Sequence, residues 1–286
     1  MLTLLPITFR QWLFIIEGLI TITVGIVFGI LFPRGPGHPI SLANIRWFTE
    51  RESQILVQRV VADDPTKHQN AKNVTKNELK ATLTNWRLIP HIILTICGLS
   101  PCTTLLSYGP SLVAEWGYGR LRANAIVSIG PWCMVVLNVI WGFWADKVSM
   151  RGPIALLGIF FWWLFLLVNR LEVFNPNVHT RLALLITAYM FSQIWHPLNG
   201  SWMALNARSA GERSITMAIL IMSANTSGIL GSQFFQASDA PLYATGWTII
   251  ASLVGVAFVA MIWANVQYFV LNRRLAKQGS PLRYRQ

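Results

Sequence analysis

Charged side chains are scarce in this chain. Asp, Glu, Lys and Arg make up 12% of its 286 residues, and only 11 residues are acidic. That is about half the charge of an ordinary soluble domain, while 53% of the residues are hydrophobic and 13 are Trp. A water-soluble globular protein is therefore excluded. Cysteine is nearly absent too: Cys97, Cys102 and Cys133 show neither metal-ligand spacing nor a pairing framework, so they read as buried packing thiols. Also missing are a His-Glu-x-x-His pair, paired aspartates inside apolar stretches, and a serine nucleophile motif. No catalytic residue, metal or cofactor is expected, and the protein is not read as an enzyme. The apolar segments lack the apolar/polar alternation of barrel strands.

What the chain does have is seven apolar stretches: Trp12–Phe32, Leu88–Tyr108, Asn124–Phe143, Pro153–Val168, Leu182–Ala204, Ser214–Phe235 and Gly246–Phe269. The first holds one charge, Glu17, and as a helix rises roughly 30 Å, the thickness of a bilayer's hydrocarbon layer. A chain in lipid must satisfy its own backbone hydrogen bonds, so the stretches predict helices. The fold class is all-α, a polytopic membrane helix bundle.

The formal charge is +12, yet the positive residues form no continuous basic face, and a nucleic-acid partner is not expected. They sit in the joints between spans. Of the 23 Lys and Arg, five (Arg10, Arg120, Arg122, Arg170 and Arg181) fall on one side; the rest lie in the first loop, the joints at Lys147, Arg151, Arg208 and Arg213, and the tail. The positive-inside rule then places the long loop and the C-terminus in the cytoplasm and the N-terminus outside. The segment Met1 to Arg10 lacks a basic n-region, so no cleavable signal is expected. Sequons at Asn73, Asn199 and Asn225 fall in that loop or within spans, out of reach of glycosylation.

The chain divides into a first span (1–32), a long loop (33–86), a six-span bundle (87–270) and a basic tail (271–286). In the loop, Thr49 with Glu52 three residues on predicts a capped amphipathic helix, and a short helix is expected over Lys76–Leu83. The joint Gly142-Phe-Trp-Ala-Asp146-Lys147-Val-Ser-Met-Arg151-Gly152 resembles the loop motif of the major facilitator superfamily. Further blocks are Trp12-Leu-Phe-Ile-Ile-Glu17-Gly18, Phe48-Thr-Glu-Arg-Glu52, Trp202-Met-Ala-Leu-Asn206, Glu212-Arg213-Ser214, Ala224 to Gln233 and Ser238 to Tyr243. Together they resemble the fungal allantoate permease family of anion:cation symporters, whose members carry allantoate, nicotinate, pantothenate and similar anions.

The resemblance implies a twelve-span fold in two halves, of which this chain corresponds to the sixth span, the inter-half loop and the C-terminal half. It implies secondary transport of a small organic anion with a proton, across a plasma membrane, with the missing N-terminal half supplying the other cavity wall. Two accounts of the missing spans stand open: a fragment of a longer carrier, or a short product that pairs with another half; the alternative to transport is a non-transporting remnant or a membrane interaction partner.

Asp146, read as lying just past a helix end, can cap the next helix and pair with Arg151; with Gly142 and Lys147 these form a candidate gating motif, or a plain cap. Ionisable groups inside spans are few: Glu17, His91 and His196. Glu17 is a structural group or a coupling residue, and His91 is expected at the membrane interface. His196 lies beside Pro197, with Gln193 and Asn199 three residues to either side, so the three share roughly one helix face. That face either lines a substrate path, with His196 available for proton coupling, or is hydrogen-bonded within the bundle. Asn138 and Asn225 are further path candidates, or interhelical glue. The tryptophans at 132, 141, 144, 162 and 163 read mostly as interfacial or lipid-facing.

Overall fold

The structure, a computed structural model, describes residues 9–63, 74–279 and 284–285. Asn73, Lys67, Lys72 and Arg283 lie outside the described residues. Eleven α-helices run in order among the described residues: α1 (Phe9–Leu31), α2 (Glu50–Asp63), α3 (Lys76–Leu83), α4 (Ile89–Glu115), α5 (Arg120–Val127), α6 (Ile129–Val148), α7 (Arg151–Leu171), α8 (Val178–Phe191), α9 (His196–Leu205), α10 (Ala210–Gly231) and α11 (Ala244–Lys277). Strand pairing among them is limited to two isolated bridges. The protein is an all-α membrane helix bundle.

Two compact units are present, Met1–Lys72 and Asn73–Gln286, so the long loop is shared: α2 belongs to the first unit and α3 to the second. In the first, α1 is apolar on every side, and Glu17 is exposed on it. Beyond its end Trp47 Nε1 donates to the Leu31 carbonyl at 2.7 Å and the Phe32 ring stacks on Trp47. Helix α2 begins where expected: Glu52 accepts from the Thr49 amide at 2.9 Å, and that bond holds its carboxylate below the ordinary range.

Six helices are long and apolar enough to span: Gln11–Leu31, Trp86–Glu115, Arg120–Val148, Arg151–Leu171, Ala210–Gly231 and Ala244–Lys277. The fifth expected span, Leu182–Ala204, is not one helix but two. Residues 192–195 interrupt it between α8 and α9. The cause is Pro197, whose ring cannot sit against a helical carbonyl four residues back, at Gln193, and whose fixed φ suits a first turn instead.

In the second unit α4 is the central helix, packed by α10 on one side and α11 on another, while α7 joins α11 to the α8–α9 pair. Its core holds Leu94, Leu105, Ile159, Leu166, Trp162, Trp195 and Val254. Small residues make the close approaches. A Cβ at Gly98 would lie 2.5 Å from the Trp195 ring, and one at Gly231 would lie 2.4 Å from the Ser100 carbonyl oxygen. Thr104 Oγ1 donates to the Gly231 carbonyl at 2.7 Å, tying α4 to α10. Trp162 departs from expectation: it is fully buried and donates to the Gly98 carbonyl at 3.2 Å. An indole in a bundle core finds a carbonyl when a glycine leaves one open.

Helix α3 docks on the start of α10. Ser209 Oγ donates to Glu78 Oε1 at 2.6 Å, and with the Thr75 amide that bond lowers the Glu78 carboxyl below its ordinary 4.5. The Glu78 carboxylate lies against Gly211, where a Cβ would meet it at 2.5 Å.

Candidate functional site

A row of small and polar residues on α4 faces the broken helix. His91, Thr95, Gly98 and Cys102 recur at three- and four-residue intervals and so share a face. Opposite them, Gln193 Nε2 donates to Cys102 Sγ at 2.9 Å, and Asn199 Oδ1 lies 2.6 Å from His91 Nδ1. Asn199 Nδ2 donates to Thr95 Oγ1 at 3.3 Å, and Thr95 in turn donates to the His91 carbonyl at 2.8 Å. That chain fixes protons: Thr95 Oγ1 must accept from the amide, so Asn199 presents its oxygen to His91, and His91 carries its hydrogen on Nδ1. Nε2 is left with a lone pair, buried and without a hydrogen-bond partner among the described residues.

His91 is thus enclosed by protein in the first turn of α4. It is 0% exposed, covered edge-on by Trp202 with ring centroids 5.1 Å apart and flanked by Tyr268 at 5.9 Å. Sequence reasoning passed over it because it lies close to a helix start, where a histidine ordinarily reaches water. The available signal was its spacing from Thr95 and Gly98, which marks a packed face.

The three residues expected on one face are only partly brought together. Gln193 is in the break, not on a helix, and Asn199 is fully buried on α9; both turn toward α4. His196 opens α9 and is half-buried, and its buried Nδ1 has no partner among the described residues. The break therefore takes Gln193 off the helix, while His196 and Asn199 stay three residues apart on α9, Asn199 bonded to α4 and His196 outside those bonds. Asn138 donates back to the Met134 carbonyl at 3.1 Å within its own helix. Asn225 is exposed on α10, in line with Ala218, Ile221 and Met222.

The α6–α7 joint also differs from its expected form. Asp146 lies inside the last turn of α6, which ends at Ser149 in the left-handed region with φ 57°. It caps no amide of α7, whose first residues have no side-chain cap. The ion pair does form, with Arg151 donating to Asp146 Oδ1 at 2.6 Å. Gly152 has a reason of its own: a Cβ there would meet Asn265 at 2.5 Å and Trp202 at 2.8 Å. Lys147 is exposed, and Gly142 faces open space.

At the end of the bundle where α4 starts and α11 finishes, a cavity of about 340 Å³ is lined by Asn85, Arg87, Arg208, Glu212 and Tyr284 among others. Arg208 donates through its backbone amide to Glu212 Oε2 at 2.9 Å, and its guanidinium reaches the Tyr284 hydroxyl at 3.4 Å; that hydroxyl contact raises the Arg208 pKa.

Among known proteins, an uncharacterized transporter of Saccharomyces cerevisiae is 26% identical over 246 residues, 84% of this chain and 45% of that protein. The MFS-type transporter cnsO of Penicillium expansum is 24% identical over 94% of this chain and 52% of its own length. The chain resembles fungal major facilitator transporters. The major facilitator-type transporter hxnP of Emericella nidulans matches likewise, at 24% identity over 94% of this chain and 52% of its length. These relatives support a place in the major facilitator superfamily and are named as transporters, not enzymes. No family model matches the chain, and no solved structure does. The chain spans about half the length of the curated relatives it matches.

Proposed function

We propose that this chain is the C-terminal half of a secondary active transporter that moves a small organic anion together with a proton by alternating access. The observation that carries the reading is the interruption of the α8–α9 span at 192–195, with the amide of Gln193 within the break and that of Asn199 just beyond it both turned to a polar face of α4. Broken helices in lipid persist where their freed backbone groups line a cavity or are buried in protein, and transporters place substrate sites at such breaks. Half-buried His196, with an unsatisfied ring nitrogen beside the break, is the group proposed to carry the proton and attract a carboxylate. Gln193 and Asn199 position the path, and Asn225, exposed on a span where an amide in lipid is costly, faces the other half or the water path. Asn138 and Glu17 are weaker members of the set.

Within this reading the long loop and the tail are cytoplasmic, the N-terminus is outside, and the membrane is the plasma membrane. The Asp146–Arg151 pair gates the cytoplasmic side. The allantoate permease resemblance supplies the cargo class: allantoate, nicotinate, pantothenate or a related carboxylate. The test is uptake of these three labelled anions by cells expressing the chain joined to a first half, at several pH values, with His196→Gln alongside. We expect one of them to accumulate at acidic pH and the pH dependence to flatten in the variant. Absence of uptake of all three overturns the cargo assignment, and an unaltered pH profile removes His196 from coupling.

A further inference from the structure

Past the end of α11 the chain returns to the bundle, and two asparagines hold it there. Asn272 Nδ2 donates to the Tyr284 carbonyl at 2.9 Å, while its Oδ1 accepts from the Tyr284 amide at 2.8 Å. Asn206 does the same for the next residue, donating to the Arg285 carbonyl at 3.1 Å and accepting from its amide at 2.9 Å. Each carboxamide thereby pairs with both polar groups of one residue, as a neighbouring β-strand would. Trp202 Nε1 adds a bond to the Arg285 carbonyl at 2.8 Å.

The Tyr284 side chain is held as firmly as its backbone. Its hydroxyl accepts from Arg87 and from Arg208. The Arg87 guanidinium also lies 4.8 Å from the ring centroid. The ring leans on Tyr268 at 5.6 Å, Tyr268 on Trp202 at 5.0 Å, and Trp202 on His91 at 5.1 Å. One dipeptide thus bridges α9, the α9–α10 joint, α11 and the turn that opens α4, and its tyrosine forms part of the wall of the 340 Å³ cavity.

We propose that this end of the bundle is a binding site for an extended tyrosine-containing peptide segment, filled by the chain's own Tyr284-Arg285, and that the bound segment latches the ends of α4, α9 and α11 together. The recognition is for backbone at two residues and for a tyrosine at one. Ala or Leu at 284 loses the two arginine contacts, whereas the side chain of Arg285 is exposed and makes none of the bonds described. The proposal deepens the transporter reading: a latch on this face holds the cytoplasmic ends of the half-bundle fixed while the halves rock. It also leaves only two aromatic rings, Tyr268 and Trp202, between the tail's tyrosine and His91.

Amide hydrogen exchange, followed by mass spectrometry on the purified chain in detergent, reads the tail directly and does not depend on uptake. In the unaltered chain the Tyr284 and Arg285 amides are expected to exchange about tenfold or more slowly than in a free peptide of the same sequence, since each ends on an asparagine oxygen. Tyr284→Ala, which alters no residue of the helices, is expected to abolish that protection, as is Asn272→Ala. Free-peptide rates in the unaltered chain overturn the proposal, and so does protection that survives Tyr284→Ala. Failure of uptake with protection intact counts against the transport reading alone.

Discussion

Helices α4 and α6 are both apolar enough to cross a bilayer, yet their surroundings are opposite. In the span containing α4, 67% of the most apolar window is buried within the protein; in the span containing α6 the figure is 11%. Composition accounts for the difference. The α4 sequence is rich in Gly, Ser and Thr (Gly98, Ser100, Thr103, Thr104 and Gly109), which let other helices come close and bond to carbonyls across the contact. In α6, Val135, Val136, Val139, Ile140 and Phe143 point outward. Such side chains suit lipid, or the face of another half. Apolarity marks a span, and small or hydroxylated residues within it mark the centre of the bundle, because lipid gives no hydrophobic drive to bury one Leu before another.

The largest effect expected from that contrast is at Gly231. Leucine there collides with the α4 backbone at Ser100, which cannot swing aside, and should cost about 3 kcal/mol of stability. Thermal unfolding in detergent checks it; an unchanged midpoint would break the comparison at its core. Next is Asn199→Leu, which strands the Nδ1 hydrogen of a fully buried His91 and should cost about 1–2 kcal/mol. If Asn199→Leu is as stable as the parent, the contact is not the anchor of α9. Asp146→Asn removes an exposed ion pair worth under about 1 kcal/mol, so abundance should hold while uptake by a complete carrier slows. An unchanged rate at normal abundance would leave the joint a plain helix end. The smallest effect is at Val139 on α6, where alanine should shift stability by less than about 0.5 kcal/mol in this chain alone. A larger loss would mean that α6 is packed after all.

Much of the helical pattern was open to reading from the residues. Thr49 and Glu52 announced α2, and α3 occupies the Lys76–Leu83 segment expected of it, capped by Thr75 and Glu78. The break at Pro197 was visible as a proline, but its consequence was not. A bend within a helix keeps Gln193, His196 and Asn199 roughly on one face; a four-residue interruption takes Gln193 out of that register, and only packing against α4 decides between them. His91 and Trp162 were misjudged for a related reason. Both belong to residue types that commonly reach the membrane surface, and what buries them is a glycine or an aromatic on a helix distant in sequence. The capture of Tyr284 by Asn206 and Asn272 depends on the chain folding back, which no local spacing foretells.

The proton arrangement at His91 has a bearing on what can come near it. Its buried lone-pair nitrogen and the buried oxygen of Gln267, whose Nε2 donates to the Arg87 carbonyl, each lack a hydrogen-bond donor among the described residues. A group that settles against either atom must bring a hydrogen, as water or an ammonium does. An ionised carboxylate brings none, so this inner turn of the α4 face disfavours anions and accepts only groups that donate.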